Sequence, residues 1–119
     1  MTLNPALLDQ VDFGKGGGLV PIVVQHWQTR AVLMLGYANR EALERTLASG
    51  HLHFWSRSRN ELWLKGRRSG NVLQVRRLAM DCDGDALLAE VEPATGETPV
   101  CHTGAETCFF RGLAEPNGE

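Results

Sequence analysis

The sequence is short of the features that would place it at once. Three cysteines, an odd number, cannot close a disulfide framework, so a bridge-stapled secreted scaffold is excluded and a reducing compartment is expected. No apolar stretch approaches the ~18 residues of a membrane span. The opening Met1-Thr2-Leu3-Asn4-Pro5 lacks the basic and then apolar run of a secretory signal, so a cytoplasmic protein is expected. Internal repeats and low-complexity segments are missing. The glycine run Gly14 to Gly18 lacks the Gly-Lys-Ser/Thr ending of a phosphate loop, with Lys15 in the wrong place for one. Strong net charge is missing as well: −2 over the whole chain weakens the case for a dedicated nucleic-acid binder.

What charge there is lies unevenly. Residues 57–77 hold seven basic residues against Glu61, and residues 78–119 hold nine acids against Arg111. A basic middle can receive phosphates, and an acidic end can receive a divalent cation; a solvated strand face salted with arginines reads the same way. The 119 residues suffice for one domain with its own core, spanning 1–119, with 1–18 as an N-terminal segment and 112–119 as a flexible tail.

Local signals predict a β-dominated α+β fold with one main helix. Asn4-Pro5 reads as a cap and first helical position for a short helix over about 4–11. Leu19 to Gln25 is a β-branched strand in which Pro21 marks an edge or a strand start. A turn over His26 to Arg30 and a strand Val32 to Leu35 complete a hairpin. Asn39 caps a helix through about Ala48, with Gly50 past its end and Leu43 and Leu47 on the core side. Strands follow over His53–Ser56, Leu62–Lys65, Val72–Leu78 and Ala86–Val91, with a loop from Pro93 to Pro99 and a last short strand at Cys108–Phe110.

The chemistry concentrates in Asp81-Cys82-Asp83-Gly84-Asp85, Cys101-His102-Thr103-Gly104 and Cys108. Three carboxylates at alternate positions suit a hard cation such as Mg²⁺ or Ca²⁺. If residues 80–85 are extended, Asp81, Asp83 and Asp85 share one face and Cys82 points to the other. The spacing also resembles the opening of an EF-hand loop, with Glu92 at the twelfth position, but Ala86 stands where that loop needs glycine. A solvated acidic turn is the plainer alternative.

Three thiolates, Cys82, Cys101 and Cys108, suit zinc and leave a fourth position for water or His102, as a catalytic site does. Zinc lowers the pKa of bound water from 15.7 to roughly 7, which points to metal-assisted hydrolysis. Three buried free cysteines would look identical on the page. The spacing from Cys101 to Cys108 fits no zinc finger, and the base-deaminase signature is missing. Arg57, Arg59 and Lys65 surround Trp55 and Trp63, an arrangement that binds one nucleotide or stacks single-stranded nucleic acid; a core tryptophan is the simpler account of each ring.

Six blocks in order carry a family resemblance: Val32 to Asn39, Trp55-Ser56-Arg57-Ser58-Arg59, Trp63-Leu64-Lys65-Gly66, Ser69-Gly70-Asn71, Asp81 to Asp85, and Cys101-His102-Thr103-Gly104 with Cys108-Phe109. Over about residues 19–111 the chain resembles the phosphoribosyl-AMP cyclohydrolases of histidine biosynthesis. Arg67 and Arg68 depart from the acidic residue expected after Lys65-Gly66. The resemblance implies a monofunctional cytoplasmic hydrolase that opens the adenine ring of 1-(5-phosphoribosyl)-AMP between N1 and C6. It implies an intertwined homodimer with zinc shared between Cys82 of one chain and Cys101 and Cys108 of the other, and Mg²⁺ on Asp81, Asp83 and Asp85. Arg57, Arg59, Trp63, Lys65 and Ser69 would bind the substrate. His102, beside a zinc ligand, is the first candidate for the proton shuttle and His53 the second. A zinc-stapled dimeric nucleic-acid-binding module is the alternative, separable by its steep salt dependence.

Overall fold

Alternating β-branched residues build the centre of the molecule. The structure, a computed structural model, describes residues 5–96 and 100–116. Strand β1 (Val20–His26) turns Val20, Ile22 and Val24 fully inward. It is an inner strand of a four-stranded sheet ordered β2-β1-β6-β5, where β2 is Val32–Ala38, β5 is Leu73–Met80 and β6 is Leu87–Pro93. The β1–β2 hairpin and the β5–β6 pair are antiparallel, and β1 runs parallel to β6 from Ile22 beside Leu87 to His26 beside Val91. Pro21 precedes the first parallel pair, so its missing N–H interrupts no bond to β6. It marks a strand start and not an edge. A second sheet pairs β3 (His53–Ser56) with β4 (Glu61–Leu64).

The main helix, here α2 (Arg40–Ser49), follows its caps. Asn39 Oδ1 accepts the Ala42 N–H at 2.9 Å, and Gly50, at φ 77°, closes the C-terminus through its N–H to the Thr46 carbonyl. Leu43 is buried as expected, but Leu47 is only half-buried; the fully buried positions are Ala42 and Thr46, the second of them polar. Its hydroxyl donates to the Ala42 carbonyl at 2.9 Å and accepts the His53 N–H at 2.9 Å, tying α2 to β3. A polar side chain is tolerated there because both roles of the hydroxyl are satisfied.

Two expectations fail, and one open alternative is decided. The first helix, α1 (Pro5–Leu8), is one turn rather than a run to residue 11; Asn4 lies outside the described residues. Gln10 and Val11 make short-range bonds back to Leu7 and Leu8, and Asp12 then donates to the Gly84 carbonyl at 2.8 Å, leading the chain away from the helix axis. Residues 81–86 are a tight turn, not a strand. Gly84 takes φ 76°, and Asp81 Oδ1 accepts the N–H groups of Asp85 and Ala86 at 3.0 and 3.2 Å. Residues 108–110 form no strand: a single backbone bond, Cys108 N–H to the Leu33 carbonyl at 2.7 Å, meets edge strand β2. The Thr107 hydroxyl donates to Val32 O at 2.7 Å in place of a ladder. The tail from Gly112 to Pro116 is exposed and carries no helix or strand. Among the described residues no helix is long and apolar enough to cross a membrane.

Candidate active site

The turn joining β5 to β6 gathers the carboxylates. One oxygen from each of Asp81, Asp83 and Asp85 lies within 4.8 Å of the other two, the only such group of three or more potential ligands among the described residues. The turn, rather than strand alternation, brings them together. An ammonium already sits there: Lys15 Nζ is 3.2 Å from Asp83 and 3.4 Å from Asp85. The Asp85 and Asp83 carboxyls, with Lys15, hold one another apart in titration. Asp83 falls below its ordinary value, through its bond to Asp85 and then Lys15, and Asp85 rises above it because of Asp83. Carboxylate oxygens are the donors a hard cation takes, so the chemistry of this trio is compatible with one.

Cys101 and Cys108 stand near enough to each other for each thiol to shift the other's titration. Cys101 is buried at the head of a compact turn, in which Gly104 N–H donates to the Cys101 carbonyl at 3.0 Å. Its sulfur is 3.1 Å from the Thr103 hydroxyl, and Thr103 through that hydroxyl and its backbone holds the thiol below the usual cysteine value. Burial, and then Cys101 itself, pushes Cys108 up. Cys82 does not join this pair. It follows β5 at one edge of the sheet, while Cys108 is bonded to β2 at the other edge. Three strand spacings separate those edges, about 14 Å.

The residues expected to meet substrate divide into four places. Arg57 stacks over Tyr37, its guanidinium 3.9 Å from the ring centroid, and both border an open groove of about 480 Å³ with Phe54, Ser56 and Trp63. Trp63 packs on Phe54 at 5.6 Å between ring centroids and stays 39% exposed, so it is both wall and surface. Arg59 lies in the exposed β3–β4 turn facing Glu61 at 4.0 Å. Ser69 caps the next turn by accepting the Asn71 N–H at 3.2 Å. Lys65 is with the thiols: its half-buried Nζ donates to the Val100 carbonyl at 2.8 Å.

His53 Nδ1 is 2.9 Å from the His51 carbonyl. A carbonyl only accepts, so Nδ1 is the donor in this contact, and of the two neutral tautomers it selects the one whose Nε2 accepts. His102 is exposed directly after Cys101. Tyr37, Thr103, Val100 and Lys15 were not among the expected site residues. Tyr37 and Thr103 stood inside quoted motifs, which was a usable signal; the places of Lys15 and Val100 depend on contacts far apart in sequence. Of the basic residues expected to form a nucleic-acid surface, Arg57 stacks on Tyr37, Arg59 faces Glu61 and Lys65 donates to the Val100 carbonyl.

Comparison with known proteins bears on these groups together. A family model described as Phosphoribosyl-AMP cyclohydrolase matches residues 34–110, from β2 through both cysteines of the pair. A protein of that name from Cenarchaeum symbiosum is 51% identical over 89% of this chain and 95% of its own length. Another from Clostridium botulinum is 48% identical over 90% of this chain and 94% of its own. A histidine biosynthesis bifunctional protein of Bacteroides thetaiotaomicron is 48% identical over 90% of this chain, which covers 51% of that longer relative.

Proposed function

The chain belongs to the phosphoribosyl-AMP cyclohydrolase family, and from that premise we propose that it hydrolyses the adenine ring of 1-(5-phosphoribosyl)-AMP between N1 and C6, a step of histidine biosynthesis. The oxygen of water bonds to C6 and the C6–N1 bond breaks. C6 keeps its exocyclic nitrogen and becomes a carboxamide. N1 takes a proton and stays attached to C2 as the formimino group.

The split donor set carries the detailed reading. Cys101 and Cys108 form a pair, and the third thiol, Cys82, stands at the opposite sheet edge beside the three aspartates. In a homodimer, Cys82 of one protomer completes the partner's pair as a zinc site, and Asp81, Asp83 and Asp85 come with it to hold Mg²⁺. Exposed Val32, Leu35, Phe109 and Phe110, on β2 and the segment bonded to it, support a second copy covering this side. Zinc on such thiolates supplies a Lewis acid that makes water nucleophilic near neutral pH. A reducing cytoplasm keeps these thiols available.

The chain's own residues do the rest. His102, exposed beside Cys101, is placed to move the proton between water and N1; His53, with Nε2 free to accept, is the second candidate. Arg57, Arg59 and Ser69 take the phosphates, and Trp63 offers a face to the base.

Mixing two inactive variants tests the shared site. In a twofold dimer, Cys82→Ser with Cys101→Ser leaves one intact site in each mixed dimer, so random exchange returns roughly a quarter of wild-type turnover. No recovery after verified subunit exchange would sink the shared-zinc reading. Turnover of phosphoribosyl-AMP by the wild type, stripped by chelator and refilled with Zn²⁺ and Mg²⁺, tests the activity itself.

A further inference from the structure

The segment that carries the thiol pair is held at two points. Cys108 is fixed to β2 by its N–H bond to the Leu33 carbonyl at 2.7 Å. At the other end, Val100 carries the carbonyl just before Cys101, and that carbonyl accepts from Lys65 Nζ at 2.8 Å. Lys65 follows β4, its own N–H donating to the Leu52 carbonyl at 3.2 Å, so its stem starts from a fixed backbone. The next residue, Gly66, takes φ 86° and lies so close to Asn71 that a Cβ would stand 2.1 Å from the Asn71 carbonyl oxygen. The ammonium therefore projects from a rigid corner.

Its surroundings also set its role. Trp63 lies beneath it, 5.5 Å from Nζ to the ring centroid. Among the described residues no carboxylate forms an ion pair with it; the acidic groups that act on its charge are Cys108 and Cys101. A half-buried ammonium needs anionic company.

We propose that Lys65 is a positioning residue for the cysteine pair, anchoring the Val100–Cys101 backbone to the β3–β4 hairpin, and that it does not bind a substrate phosphate. This rests on the zinc reading given above and deepens it. Loss of a residue that orients metal ligands typically weakens metal binding by about 10- to 100-fold.

The test compares full-length Lys65→Met and Lys65→Arg with wild type by three readouts: zinc affinity against a competing chelator, KM and kcat separately, and hydrogen exchange of residues 100–108. In Lys65→Met, zinc affinity falls about 10- to 100-fold, exchange over 100–108 rises, and kcat falls with bound zinc while KM holds. Lys65→Arg restores a side-chain N–H donor and recovers part of the zinc affinity. Unchanged zinc affinity and exchange with a raised KM would make Lys65 a phosphate contact and overturn the proposal. A wild type that takes up no zinc would overturn the shared-zinc reading instead, and the exchange comparison would still decide whether Lys65 anchors the segment.

Discussion

The ring of Phe54 lies flat against the backbone of Gly36, so close that a Cβ on Gly36 would stand 2.5 Å from a ring carbon. Phe54 belongs to β3 and Gly36 to β2, and this contact sets how the two-stranded sheet meets the four-stranded one. Gly36→Ala forces the ring or the sheet to move. Overpacking of this kind destabilises by about 1–3 kcal/mol. Urea unfolding should show a lower midpoint with an unchanged slope; an unchanged midpoint would mean the sheets slide freely.

Asn39→Ala removes the only side chain that accepts the Ala42 N–H at the start of α2. The expected loss is about 0.5–2 kcal/mol, and Asn39→Asp should retain most of the stability because its carboxylate also accepts and favours a helix N-terminus. Thermal melts of the two variants check this. Equal losses would show that the amide's other contacts, and not the cap, hold the residue.

Glu90 on β6 receives both Arg77, at 2.9 Å, and Arg30. The Arg77 guanidinium, and then Arg30, hold its carboxyl below the ordinary 4.5. In the acid range the unfolded chain therefore binds more protons at this site than the folded one. The stabilisation is complete above about pH 4.5 and is lost as pH falls through the lower folded value. Glu90→Gln should lower the urea midpoint near pH 7 and leave it close to wild type near pH 2. A constant gap at both pH values would rule out titration of Glu90 as the cause.

Lys15 pairs with Asp83 and Asp85, so a divalent ion bound to these carboxylates would have to displace it. Lys15→Ala should bind Mg²⁺ a few-fold more tightly by calorimetry at low ionic strength, with the difference shrinking as salt is added. Identical affinities would mean the ammonium leaves at no cost.

Local rules made much of this molecule legible. Asn39 and Gly50 delimit α2 because caps act within a few residues, and the alternation from Val20 to Val24 names β1 because one face is buried. The same rules misread one segment on which function depends and left another open. The β-branched and aromatic preferences around Cys108 to Phe110 suggested a strand, but the Thr107 hydroxyl takes the carbonyl that a ladder would have used. Residues 80–85 could be read as extended or as an acidic turn, and the Asp81 carboxylate decides for the turn by folding the backbone over itself. The site residues were named from their chemistry and motifs; their grouping depended on distant pairings. Lys65 meeting Val100, and Cys82 standing across the sheet from Cys108, follow from strand order, which no short motif encodes.

The parallel pairing of β1 with β6 sets when this chain becomes a protein during synthesis. Ile22 needs Leu87 beside it, and more than half of the chain separates them. Until β6 has emerged from the ribosome, β1 and β2 are a lone hairpin with an unpaired inner edge, and such two-stranded units are marginal in water. Closing that long loop comes before its contacts can reward it, so the central sheet forms late. The acidic turn and the cysteine pair flank β6 in sequence, so the groups assigned to metal come into place only once the last structural strand has docked.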